Sequence, residues 1–159
     1  MNDLGEVSCY LGIQIEREAN GNFLLSQNAK IIAILDQFGM KDIKGASTPM
    51  DAAYPKLEGE CDLLPDNELY RKALGAMLYV ATTTHPDIAA VIGIFCRRVS
   101  NPRQRDWHAL TRVMKYMYLK ETVDLKLKIS ADSNLELSGY ADADWAGDTA
   151  DRKSTSGYL

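Results

Sequence analysis

The architecture turns on Thr84-His85-Pro86-Asp87-Ile88-Ala89-Ala90-Val91-Ile92-Gly93-Ile94-Phe95-Cys96. A threonine, an early proline and an acid three residues after the threonine form a helix-start pattern. From Ile88 to Val99 the chain is apolar almost all round, which predicts a helix buried at the centre of the molecule. Asn101-Pro102 breaks it. A central apolar helix must be covered by others, and the flanking sequence supplies them. Arg103 to Lys120 predicts one helix and Leu69 to Val80 another. A third, Gln27 to Phe38, places Ile31, Ile34, Leu35 and Phe38 on one stripe at i, i+3, i+4 and i+7. Ser26 is expected to cap that helix and Gly39 to end it.

Strands flank the helices. Tyr10 to Glu16 predicts a strand with Leu11, Ile13 and Ile15 on one face. Asn20-Gly21 predicts a hairpin, because both residues tolerate positive φ, and Asn22 to Leu25 returns as the partner. Asp124 to Ile129 alternates Leu125, Leu127 and Ile129 with charged Lys126 and Lys128, and Ala131 to Asn134 is expected to turn it into Leu135 to Tyr140. Lys41 to Glu68 is rich in proline, glycine and polar residues, and a connection this long predicts a functional or mobile loop. The fold class is α+β: an N-terminal β-hairpin, a four-helix central part and a C-terminal β-hairpin.

Composition narrows the function. A chain of 159 residues with net charge −4 is long enough for a buried core and is not a generally basic nucleic-acid binder. Its longest apolar run, Ile88 to Cys96, is far below the roughly 20 residues that span a bilayer. No basic-then-apolar leader opens the chain, so an intracellular location, cytoplasmic or nuclear, is expected. Cys9, Cys61 and Cys96 are odd in number and lack metal-ligand spacing, so neither zinc nor a disulfide scaffold is indicated. No membrane partner or small-molecule substrate is evident.

The average charge hides an asymmetry. Arg97 to Lys120 holds seven Lys/Arg and one acid, Asp106. On the predicted fourth helix, Arg105, His108, Arg112 and Lys115 fall within an arc of about 80°. Trp107, Leu110, Met114, Met117 and Tyr118 fall on the opposite side, and Tyr116 belongs clearly to neither. Cations so spaced can follow a phosphate backbone by releasing its counterions. An ordinary solvated helix face has the same spacing but usually mixes its signs. Arg105, Arg112 and Lys115 are therefore the candidate nucleic-acid contacts. His85 and His108 have no second ligand nearby and read as structural or surface residues.

The end of the chain carries different chemistry. Tyr140-Ala141-Asp142-Ala143-Asp144-Trp145-Ala146-Gly147 puts two carboxylates at alternate strand positions, hence on one face. Two carboxylates can begin a divalent-metal site, although a two-metal site needs more oxygens. Together with Arg152-Lys153-Ser154-Thr155-Ser156-Gly157-Tyr158, this run resembles the start of the RNase H domain in copia-type LTR retrotransposon Pol polyproteins. Asp3-Leu4-Gly5-Glu6, Tyr10-Leu11-Gly12-Ile13, Leu25-Ser26-Gln27, Phe38-Gly39-Met40 and Thr48-Pro49-Met50 are similar to the reverse transcriptase segment after the polymerase site. So are Gly75-Ala76-Met77-Leu78-Tyr79 and Thr84-His85-Pro86-Asp87-Ile88.

The resemblance implies the end of a palm hairpin at residues 1–26 and a thumb- and connection-like helical part at 27–123, with its loop at 41–68. It implies a truncated RNase H start at 124–159, so that the C-terminal hairpin begins an incomplete RNase H-like sheet. It places the first metal-binding acid at Asp142, with Asp144 second, and implies Mg2+ in the parent enzyme but none held by this segment. It further implies a catalytically inactive chain with weak affinity for RNA–DNA hybrid or DNA, since no Tyr-x-Asp-Asp occurs. The other readings are a helical protein-interaction module or a non-functional remnant. Three positions depart from the family pattern: His85 and Met117 each stand for Arg, and Glu121 for Gly. A left-handed Glu121 would cost roughly 1 kcal/mol.

Overall fold

The structure, a computed structural model, describes residues 5–40, 44–54, 61–117, 120–131, 138–147 and 152–158. It is an α+β fold with a four-stranded antiparallel sheet, a helical core and a separate two-stranded sheet.

The first sheet begins with a tight hairpin. β1 (Cys9–Tyr10) and β2 (Ile13–Arg17) are antiparallel, with Tyr10 opposite Ile13. Between them Leu11 and Gly12 both take positive φ, 52° and 81°, the two-residue turn whose twist suits the flanking strands. The continuous strand expected from Tyr10 to Glu16 is thus split, because Gly12 permits a reversal that apolar alternation does not reveal. β3 (Phe23–Ser26) pairs with β2 through a loop in which Gly21 has φ 91°.

The fourth strand comes from far along the chain. β4 (Leu127–Ile129) pairs with β3, setting Leu127 opposite Leu25 and Ile129 opposite Phe23. The expected partner for this segment was Leu135 to Tyr140. Residues 135–137 lie outside the described residues, and Ser138 to Tyr140 are not in a strand. Cross-strand pairing accounts for the choice. Leu127 and Ile129 meet apolar partners and Lys128 lies opposite Leu24, while Lys126 reaches Glu16 at 2.7 Å and Lys128 approaches Glu18 at 3.5 Å.

α1 (Asn28–Gln37) buries Ile31, Ile34 and Leu35, the stripe read from the sequence. Gly39, at φ 68°, ends it, and the Met40 N–H donates to the Leu35 carbonyl at 2.8 Å. This is the left-handed helix stop that glycine favours. Ser26 does not cap α1. It lies in β3, where its hydroxyl donates to Gln14 Oε1 at 3.1 Å, and Gln27 takes the cap position.

α2 (Glu68–Thr83) is followed by a 3-10 turn at Pro86–Ile88 and by α3 (Ala89–Cys96). α3 is not buried all round. Ile88, Val91, Ile92 and Phe95 face the core, while Ala89, Ala90 and Gly93 lie exposed on the other side. Small residues make that side look apolar while leaving little area to bury. α4 (Gln104–Met117) completes the core with fully buried Leu110, Val113, Met114 and Met117. α5 (Lys120–Val123) is one right-handed turn, so Glu121 never takes the left-handed conformation whose cost was anticipated. Tyr118 lies outside the described residues. Among the described residues no helix is long and apolar enough to cross a membrane.

β5 (Ala141–Ala143) and β6 (Ser156–Tyr158) form the second sheet, with Asp142 opposite Gly157.

Candidate functional site

The cationic stripe of α4 is present, but it is not an open face. Arg105, Arg112 and Lys115 are each half-buried, and His108 is exposed. The Arg105 Nε lies 3.9 Å from Oδ1 of Asp106. Arg112 donates from Nε to the Thr48 carbonyl at 3.2 Å and from Nη2 to the Thr48 hydroxyl at 2.9 Å. The Lys115 carbonyl accepts the Ala46 N–H at 3.2 Å. Residues 46–54 therefore run alongside α4 in the opposite direction. No feature of the α4 sequence predicts this neighbour. The only signal was Thr48-Pro49-Met50, a motif without a role until the tertiary contact supplies one.

Asp106 anchors the other end of that crossing. It is buried, and its Oδ2 accepts the Arg103 N–H at 2.7 Å, satisfying a donor at the start of α4. Its Oδ1 accepts the Tyr54 hydroxyl at 2.6 Å. Burial, then the neighbouring Asp106 carboxylate, raises the Tyr54 phenol well above its ordinary range. The Tyr54 ring packs edge-on against Phe95 at 5.2 Å. Tyr70, fully buried beside this pair, donates to the Phe95 carbonyl at 3.1 Å.

A second polar cluster joins the motif residues of the first half of the chain. Gln27 is fully buried, and its Oε1 meets the hydroxyls of Thr83 at 2.5 Å and Thr84 at 2.8 Å. Thr84 thus ties α2 to the start of α1 and does not cap the helix after it. His85 is also buried, with Nδ1 3.5 Å from Asp87 Oδ1. The Tyr116 hydroxyl donates to Asp87 Oδ2 at 3.0 Å. These contacts hold the Asp87 carboxyl below the usual range, His85 first and Tyr116 after it. His85 and Tyr116 therefore link the α2–α3 turn to α4.

The two acids of the C-terminal hairpin have different surroundings. Asp144 Oδ1 accepts the Thr155 N–H, and the Asp144 N–H donates to the Thr155 carbonyl at 3.0 Å. A Cβ at Gly147 would collide with the Asp144 carboxylate. Asp144 is thus built into the hairpin. Asp142 is exposed, and among the described residues its carboxylate bonds only to the adjacent Ala143 N–H, at 2.9 Å. Among the described residues no group of three or more His, Cys, Asp or Glu is placed to hold a metal. Asp142 and Asp144 offer two carboxylates, and Mg2+ commonly takes one or two from a protein, with waters completing its six oxygens. The hairpin touches the helical core where Arg97 Nη2 donates to the Thr155 hydroxyl at 2.5 Å.

Comparison with known proteins agrees with the motifs. The chain is 39% identical over 160 residues to an uncharacterized mitochondrial protein of Arabidopsis thaliana, a match covering 99% of this chain and 64% of that protein. It is 36% identical over 167 residues to the retrovirus-related Pol polyprotein from transposon TNT 1-94 of Nicotiana tabacum, across all of this chain and 12% of the polyprotein. It is also 36% identical over 151 residues to the Pol polyprotein from transposon RE2 of Arabidopsis thaliana, across 94% of this chain and 10% of that one. The two polyprotein matches are to mobile-element sequences. The chain is homologous to one segment of the retrovirus-related Pol polyproteins of transposons and spans less than two thirds of the length of each of these relatives. No protein-family model matches it, and no solved structure does.

Proposed function

We propose that this chain is the template–primer-gripping segment of a copia-type reverse transcriptase, lying between the polymerase palm and the RNase H domain. The two-sidedness of α4 carries the reading. Leu110, Met114 and Met117 are fully buried on one side, while Arg105, Arg112 and Lys115 form a cationic stripe on the other. A rigid, core-anchored helix holds those charges at regular intervals, and phosphates of an RNA–DNA hybrid or of DNA displace their counterions there. Affinity of this kind is salt-dependent and indifferent to base sequence.

The chain by itself neither polymerises nor cleaves. It has no Tyr-x-Asp-Asp sequence, and phosphoryl transfer by two metals needs several converging acids. Asp142 supplies one carboxylate toward the Mg2+ site of the parent nuclease, with Asp144 positioning the hairpin that presents it.

The test is binding of the purified chain to a labelled RNA–DNA hybrid across a salt series, beside a variant with Arg105, Arg112 and Lys115 reversed to Glu. The log–log salt slope should flatten by roughly 0.9 for each phosphate that is no longer neutralised. An unchanged slope and affinity in a folded variant, or no binding by the folded parent chain, overturns the reading.

A further inference from the structure

The α4 stripe lies beside a second segment whose contacts compete with the proposed ligand. We propose that residues 46–54 are an autoinhibitory strap, with Thr48 occupying the Arg112 guanidinium that a nucleic-acid phosphate would otherwise take. The inference rests on the nucleic-acid reading of α4 and adds a control to it.

Three contacts fix the strap, in antiparallel order along the helix. Ala46 meets Lys115, Thr48 meets Arg112 and Tyr54 meets Asp106. They differ in strength. Tyr54 is a half-buried anchor, packed edge-on against fully buried Phe95 and bonded to a buried carboxylate. The Thr48 end is exposed and offers Arg112 only a neutral carbonyl and a neutral hydroxyl. A phosphate offers the same planar fork two anionic oxygens in bidentate geometry, a pairing of opposite charges that the neutral Thr48 oxygens cannot match. Phosphate should therefore displace Thr48 but not Tyr54.

The geometry permits this exchange without unfolding. From Asp106 to Lys115 the helix rises about 14 Å. The strap between Tyr54 and Ala46 can extend to about 27 Å. That slack lets the Thr48 end lift while Tyr54 stays in place.

The test uses an Ala46→Pro/Thr48→Ala double variant. It removes the N–H that reaches the Lys115 carbonyl and the hydroxyl that holds Arg112, and changes no fully buried side chain. Binding to a short labelled RNA–DNA hybrid should tighten roughly three- to ten-fold, the scale of one net hydrogen bond. The gain should vanish in an Arg112→Ala background. Equal affinity in parent and variant, or a gain that persists without Arg112, overturns the strap and leaves the nucleic-acid reading standing. No binding by either folded protein removes the nucleic-acid reading, and the strap's role with it. If the double variant does not fold, amide exchange in the unmodified chain decides the question. Added hybrid should deprotect the Ala46 N–H, and unchanged protection at saturating hybrid overturns the proposal.

Discussion

The Tyr54 hydroxyl donates a 2.6 Å hydrogen bond to Oδ1 of Asp106, a residue 52 positions later in the chain. This contact joins a proline-rich loop to the first turn of the helix that carries the cationic stripe. Asp106 is the only acid between Arg97 and Lys120, and by charge alone it looks like an interruption of a basic segment. Buried and bonded to both Tyr54 and the Arg103 N–H, it instead fixes where α4 begins and where the loop is held.

Tyr54→Phe removes one donor and leaves a buried carboxylate oxygen with less to satisfy it. The expected loss is about 1–3 kcal/mol of stability, the penalty for an unsatisfied buried acceptor. Urea denaturation checks it: the midpoint should fall with the slope unchanged.

Asp87 predicts a pH dependence. His85 and Tyr116 hold its folded pKa below the unfolded value, so the folded chain binds fewer protons than the unfolded one. Its contribution is fully present above the ordinary carboxylate pKa, near pH 4, and is lost as pH falls through the depressed folded value. Thermal melts of the parent chain and of Asp87→Asn should therefore converge as the solution is acidified below about pH 4. Curves that remain parallel down to full protonation would contradict this.

Leu11 is an exposed, non-glycine residue at φ 52° in the β1–β2 turn. A left-handed conformation costs an ordinary side chain roughly 1–2 kcal/mol, and asparagine tolerates it better. Leu11→Asn should raise stability by about 0.5–1 kcal/mol. The Tyr79 hydroxyl bonds to the residue 11 carbonyl at 2.6 Å, a main-chain contact that the substitution keeps. A melting temperature equal to or below that of the parent would refute the prediction.

Gly147→Ala tests the hairpin that presents Asp142. The new methyl would meet the Asp144 carboxylate and push it away from the Thr155 N–H. Amide exchange at Thr155 should accelerate, while the core amides of α2 and α4 keep their protection, because such local opening does not require global unfolding.

Much of the helical part was legible because it is written locally. The 3.6-residue period of Ile31, Ile34 and Leu35, and of Leu110, Met114 and Met117, marks a buried face whatever it packs against. Gly39 marks a helix stop because few other residues accept φ 68° at low cost. The cationic side of α4 followed from the same periodicity, and the family from motifs in order.

What the sequence by itself determined, then, is which faces are apolar, where helices stop and which charges share a side. Tertiary structure alone decided the partners. Leu127 pairs with Leu25, Thr84 bonds to Gln27, Arg112 lies on Thr48 and Arg97 on Thr155. Each of these contacts joins segments far apart in the chain. A residue's type states that it needs a partner, since buried polar groups must be satisfied and strand edges must be paired. Which distant residue meets that need depends on how the whole chain packs.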